Sequence, residues 1–173
     1  ALDPKGREGL ANMVSGLIDE GAGDLDSQTF QGRLEDLAAS LSFDAGRDTF
    51  TGQLRTLTEN RDAAFDLLRL AVTKARFDDE PVSRIRQQIL AGLRADSEDP
   101  DFIAGRTLSR TLFPDHPYGR PTRGTKASVG AVTAEDLRQF VVRRLARDNL
   151  IVGVVGDIAA AGLARVLDST FDA

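Results

Sequence analysis

Asp3-Pro4-Lys5-Gly6-Arg7-Glu8-Gly9-Leu10-Ala11-Asn12-Met13-Val14-Ser15-Gly16-Leu17-Ile18 is the stretch on which the fold turns. Its first half, with one proline and two glycines, cannot sustain a helix. From Leu10 the apolar residues recur at 10, 13, 14, 17 and 18, which is the spacing of one helix face. Gly21-Ala22-Gly23 then stops that helix. On this reading Gly16 lies mid-helix, where glycine costs about 1 kcal/mol relative to alanine.

Outward from that helix, the pattern alternates helices with a few strands. Ser27 is placed to cap a second helix carrying Phe30, Leu34, Leu37 and Ala38. Leu41 to Ala45 and Thr49 to Leu57 read as extended segments joined tightly at Gly46-Arg47-Asp48, hence an antiparallel hairpin. Helices follow over about 61–75, with Ala64, Leu67, Leu68, Ala71 and Val72 inward, and about 79–95, with Val82, Ile85, Ile89 and Leu93 as the stripe. Asp99-Pro100 restarts a helix that carries Phe102, Ile103, Leu108 and Leu112. Phe113 to Thr125 is the longest loop, and Thr133 caps a helix with Leu137, Phe140, Val141 and Leu145. Leu150 to Val155 is an unbroken apolar run, expected as a buried central strand. Asp157 is expected to cap a last helix over about 158–167. Three strands are few for so much helix, so further strands are expected from outside these residues or from another chain.

The chain has 173 residues and a formal charge of −5, which suits one domain with a sizeable core. No apolar run reaches the roughly 20 residues of a membrane span, and ALDPKGREGL shows no signal-peptide h-region. Cysteine is absent, which removes disulfides, thiolate metal sites and cysteine nucleophiles. His116 is the only histidine, so no design that needs two imidazoles is available. A pI of 4.9 gives no global attraction to phosphate, and nucleic acid is not an expected partner. The local cluster Arg138, Arg143, Arg144 and Arg147 reads as a solvated face or a dock for an acidic partner. Gly119 to Lys126 falls short of a phosphate loop because Thr125 separates Gly124 from Lys126. An isolated His116 without a serine motif reads as a hydrogen-bonded loop residue.

The opening stretch resembles the segment of insulinase-like (pitrilysin) zinc peptidases that carries H-x-x-E-H after G-L-A. In that motif two histidines hold zinc from one side of a helix and the glutamate activates water. Aligned on Gly9-Leu10-Ala11, the motif positions fall on Asn12, Ser15 and Gly16. The family's distal glutamate ligand falls on Gly92, in Ile85-Arg86-Gln87-Gln88-Ile89-Leu90-Ala91-Gly92. Asp19-Glu20-Gly21-Ala22-Gly23 is similar to a segment of the family's non-catalytic bacterial subunits. Leu57-Thr58-Glu59-Asn60, Asp99-Pro100, His116-Pro117-Tyr118-Gly119-Arg120-Pro121, Thr133 with Asp136-Leu137, and the run from Leu150 to Asp157 also fit in order and spacing.

The resemblance implies an α+β fold, with helices packed on a mainly antiparallel sheet. Residues 1–173 would form a single half-module, incomplete at its N-terminal edge, where the family carries strands upstream of Asp3-Pro4. It implies no zinc or other cofactor in this chain, and zinc in a homologous partner with which it forms a heterodimer or homo-oligomer. Together they would enclose a peptide-degrading chamber in the bacterial periplasm or cytoplasm. Ser42, Phe43 and Asp44 align with the strand edge along which the family binds peptide. Two other readings are a structural or assembly protein using the fold for interaction alone, and a hydrolase with its site in the His116 loop.

Overall fold

The computed structural model describes residues 3–171, with the side chain of Arg147 outside the description. The chain enters through a turn whose hub is Asp3. Its carboxylate accepts the N–H groups of Gly9 and Ala11, both at 2.8 Å, and so caps helix α1, Leu10–Ser15. This helix is shorter than its apolar spacing predicts. Gly16 is its C-cap, with φ −88° and ψ 1°, and the chain continues as turns to Ile18. Gly16 is therefore not mid-helix but the residue that ends α1, in a backbone conformation open to any residue. Leu10, Met13, Val14, Leu17 and Ile18 are nonetheless all buried, since turn residues keep the inward direction that the helix began.

Helix α2 is Ser27–Asp36, and its cap is Asp26, not Ser27. The Asp26 carboxylate accepts the Thr29 N–H at 2.8 Å, while the Ser27 hydroxyl donates to Glu20. Strands β1, Ser40–Ala45, and β2, Phe50–Arg55, form the expected hairpin. The register sets Leu41 against Leu54, Phe43 against Gly52, and Ala45 against Phe50. That alternation places these residues on the inner face and Ser42, Asp44, Thr51 and Gln53 on the outer one. Gly52 is required there, because a Cβ would sit 2.8 Å from the Phe43 ring.

Helices α3 (Arg61–Lys74), α4 (Asp79–Asp96), α5 (Pro100–Leu112), α6 (Lys126–Ala131), α7 (Ala134–Arg144) and α8 (Ala160–Phe171) complete the described chain. Asp99 caps α5 with proline at its first position, and Thr133 forms a capping box with Asp136 at α7, both as the sequence reads. The result is helices packed on a two-stranded antiparallel sheet. One core gathers α1, α4, α6 and α7 through residues such as Met13, Ile89, Val129 and Phe140. A second gathers α2, α3 and the hairpin around Phe30, Leu41 and Leu67. Phe43 packs against both and joins them.

Two further expectations, on 150–155 and on Asp157, are corrected. Residues 150–155 form no strand and no core: Leu150, Ile151, Val152, Val154 and Val155 are exposed. Strand structure needs a neighbour to bond with, and among the described residues the sheet contains β1 and β2 alone. Asp157 is not a helix cap, because α8 starts at Ala160 and Asp157 lies in the bend before it. Along α5, Ile103, Leu108 and Leu112 are exposed, because this helix packs chiefly on the turn at Pro117–Gly119.

Candidate functional site

Asn12, Ser15 and Gly16 stand three and four residues apart, so α1 brings them to one half-buried stripe, opposite Leu10, Met13 and Val14. The Ser15 hydroxyl is turned back onto its own helix, donating to the Asn12 carbonyl at 2.9 Å. A Cβ on Gly16 would lie 3.4 Å from Ile85 Cγ2, so this end of the stripe faces α4. Gly92 follows Ile85 by two helical turns. Its Cβ direction runs straight into Arg123, whose Nη2 would be 2.6 Å away. Arg123 Nη1 in turn donates to Asp96 Oδ2 at 2.5 Å, one turn along α4.

Arg123 ties both helices together. Its carbonyl lies against Gly9, where a Cβ would come within 2.8 Å of the oxygen. Gly9 takes φ 91°, a left-handed conformation natural to glycine. Backbone at the start of α1 and guanidinium at the end of α4 thus belong to one residue. Sequence reasoning missed Arg123, because a contact across 27 residues to Asp96 leaves no local periodicity.

The donor set decides what this stripe can hold. A carboxamide, an internally bonded hydroxyl and a glycine offer no imidazole or carboxylate, the ligands zinc takes in the absence of thiolate. At Gly92 a guanidinium stands where a ligand side chain would begin, and its charge opposes that of a metal dication. Among the described residues no cluster of three His, Asp or Glu side chains is placed to hold a metal ion. These residues do not fit zinc.

Strand β1 packs beside α1, and Phe43 and Ala11 pack against the same core. The side chains of Ser42 and Asp44 are exposed and that of Phe43 is turned into the core. Among the described residues no strand pairs with the other edge of β1. The hairpin turn that ends β1 is held by the long loop: the Tyr118 hydroxyl donates to Asp48 Oδ2 at 2.6 Å. Arg47 lies 5.4 Å from the Tyr118 ring centroid and donates to the Tyr118 carbonyl.

His116 serves that loop. Its Nδ1 accepts the Tyr118 N–H at 3.2 Å, and its ring meets those of Phe113 and Tyr118 edgewise or tilted. It caps the turn at Pro117–Gly119 as the bland reading of the sequence expects. In the arginine cluster, Arg138 donates to the Arg76 carbonyl and Arg143 and Arg144 close the last turn of α7, while the Arg147 side chain lies outside the described residues.

Burial is the largest cause of the upward shifts at Asp3 and Asp19. Burial raises the Asp3 carboxyl above its usual range, although the Ala11 and Gly9 amides pull the other way. Asp19, in the turn after α1, is pushed up to about 6, chiefly by burial. For Asp136 burial also raises the pKa, but hydrogen bonds from Thr133 and the nearby Arg7 outweigh it and hold the carboxyl low.

Residues 1–126 match the family described as Insulinase (Peptidase family M16). Among curated relatives, the chain is 28% identical over 158 residues to the non-peptidase homolog YmxG of Helicobacter pylori, covering 91% of the chain and 37% of the relative. It is 33% identical over 102 residues to an uncharacterized zinc protease of Mycobacterium leprae, covering 59% of the chain and 23% of that protein. A crystal structure of a peptidase M16 inactive domain from Pseudomonas fluorescens superposes with a TM-score of 0.90 at 25% identity, covering 95% of this chain and 40% of that one. A crystal structure of a Helicobacter pylori protease gives 0.85 at 19% identity, over 96% and 41%, and shows the shared fold alone. The chain therefore spans less than half the length of the proteins it matches, as a half-module would.

Proposed function

The chain belongs to the insulinase family of peptidases, as an inactive member by its motif residues, and from that premise we propose that it works as the metal-free partner of a zinc-bearing homologue. In this reading the homologue supplies zinc, the two histidines and the glutamate base, and this chain supplies no ligand. It forms a wall of the chamber in which peptide is cut. The observation that carries the reading is the stripe of Asn12, Ser15 and Gly16, with Arg123 facing Gly92 where the distal ligand belongs.

What this chain offers peptide is the free edge of β1 at Ser42, Phe43 and Asp44. An extended peptide can add there through its backbone, with no demand for particular side chains. The clamp of Tyr118 and Arg47 on the hairpin turn holds that edge in place beside α1.

Isolation of the tagged protein from its native cells, with identification of what copurifies, tests the pairing. A homologue carrying H-x-x-E-H in the complex supports it, together with chelator-sensitive peptide cleavage that this chain alone lacks. A stable partner of any other kind, with no peptidase activity in the complex, assigns the chain to assembly instead.

A further inference from the structure

Arg123 carries more hydrogen-bond donors than Asp96 uses. Nη1 donates to Asp96 Oδ2, and among the described residues that carboxylate is the one partner of the guanidinium. The Nη2 edge lies over Gly92, where a side chain would set its Cβ 2.6 Å from Nη2 and 3.7 Å from Cζ. Asn12 carries a second free donor. Its half-buried carboxamide makes no hydrogen bond among the described residues, since the Ser15 hydroxyl donates to the main-chain carbonyl of Asn12. The one buried side-chain nitrogen left without a partner among these residues is Nε of Arg86, so the unpartnered nitrogens of Arg123 and Asn12 both meet solvent.

Helices α1 and α4 bring these donors together. Gly16 lies at Ile85, and Gly9 lies at the backbone of Arg123, whose head reaches Gly92. From 9 to 16 and from 85 to 92 the chain advances equally, about 10 Å at the rise of a helix. The two segments therefore run past each other in opposite directions. Asn12, one turn from Gly16 toward Gly9, is level with the turn of α4 that ends at Gly92. A guanidinium edge and a carboxamide N–H thus meet where neither has a partner.

We propose that this level of the stripe binds the carboxylate of a peptide, with one oxygen on Arg123 Nη2 and the other on the Asn12 carboxamide N–H. Charge-assisted bonds are the stronger kind, and the planar fork of a guanidinium matches a carboxylate. A carboxylate brings one negative charge beside Asp96, whereas a phosphate would bring nearly two and be repelled more. The formal charge of −5 acts against an acidic ligand from afar. At 0.1 M salt that field fades beyond about 10 Å, while Arg123 acts in contact. The carboxylate comes from an acidic side chain or from a peptide's C-terminus. The proposal rests on the reading that peptide crosses this chain, and needs neither zinc nor the homologous partner.

The probes are acetylated, amidated nine-residue peptides of alanine, serine, threonine and valine, with one glutamate walked through the positions and a glutamine counterpart for each. A further pair ends in a free carboxylate or in an amide. Binding to the isotope-labelled 173-residue protein is followed by NMR titration. At least one carboxylate peptide is expected to bind about fivefold or more tightly than its counterpart, with the Asn12 side-chain and Arg123 Nε signals among those that move. A gain in the glutamate series assigns an acidic side chain, and a gain confined to the free terminus assigns the C-terminus. Arg123→Gln is expected to bring the ratio to about one. Asp96→Asn, which releases Nη1 as well, is expected to raise it about twofold or more. A residue that merely ties α1 to α4 would change both members of a pair alike in both variants. Equal binding within every pair, a ratio that survives Arg123→Gln, or one that fails to rise in Asp96→Asn would overturn the proposal and leave the peptide reading in place. Binding of no peptide at all would overturn both.

Discussion

Gly92 and Arg123 illustrate how much a single position decides. A glycine in a helix is ordinarily a loss of about 1 kcal/mol relative to alanine, so Gly92→Ala in α4 should stabilise by about that amount. Here the new methyl would meet the Arg123 guanidinium at 2.6 Å and push it off Asp96. The arginine head is half-exposed, and its pairing contributes at most about 1 kcal/mol. The two effects should nearly cancel in the parent protein, and the full gain should emerge in an Arg123→Ala background. Urea unfolding of the four proteins in that cycle measures it. Equal gains in both backgrounds would show that Arg123 does not occupy the space in front of Gly92. The same geometry bears on restoring the motif. A glutamate at 92 would pair with Arg123 before it reached a metal, so Asn12→His, Ser15→Glu, Gly16→His and Gly92→Glu together should leave the chain without peptidase activity.

Helix α1 shows why an element can be legible in its face and illegible in its length. Its apolar residues were placed correctly by periodicity, and all of them are buried. Its end was not, because a helix followed by compact turns keeps the same inward pattern for another turn. Its two flanking glycines differ in what they do. Gly16 has φ −88° and room for a methyl at ordinary contact, so Gly16→Ala should change stability by less than about 0.5 kcal/mol. Gly9 has φ 91° and lies against the backbone of Arg123 and Gly124, so Gly9→Ala should cost about 2 kcal/mol or more. Denaturant midpoints with unchanged slopes decide both; a benign Gly9→Ala would mean that the 123–124 backbone is not packed on α1. Among the other elements, the hairpin, the Asp99-Pro100 restart and the Thr133 cap were readable because their signals are local. The run 150–155 reads as a buried strand because its apolar pattern is a strand's, and among the described residues no strand pairs with it. The sequence offers Asn12, Ser15, Gly16 and Gly92 as the degenerate positions, but not Arg123, since no spacing rule links it to α4.

At the scale of the whole molecule, pH reports how the chain is packed where α1 meets α2. Asp19 lies there, with its carbonyl accepting from Gln31 and its carboxyl raised to about 6 by burial. A carboxyl whose folded pKa exceeds its unfolded value near 3.8 is penalised once ionised. Its effect on stability is absent below about pH 4, grows between about 4 and 6, and is complete above 6, on the order of 3 kcal/mol. Asp136, held low by Thr133 and Arg7 against burial, acts in the opposite sense, and its contribution is lost as pH falls through its folded pKa. Asp19→Asn isolates the first term. The variant should gain stability over the parent at pH 7 and lose that advantage at pH 4. A difference that does not vary with pH would mean that Asp19 is not penalised when ionised.

The most direct test of a metal-free role is the metal content of this chain itself. After purification of the complex, separation of its chains and extensive dialysis of each, zinc is expected with the homologue and at background level here. One tightly held zinc for every copy of this chain would contradict the reading of Asn12, Ser15, Gly16 and Gly92, and with it the assignment of all ligands to the partner.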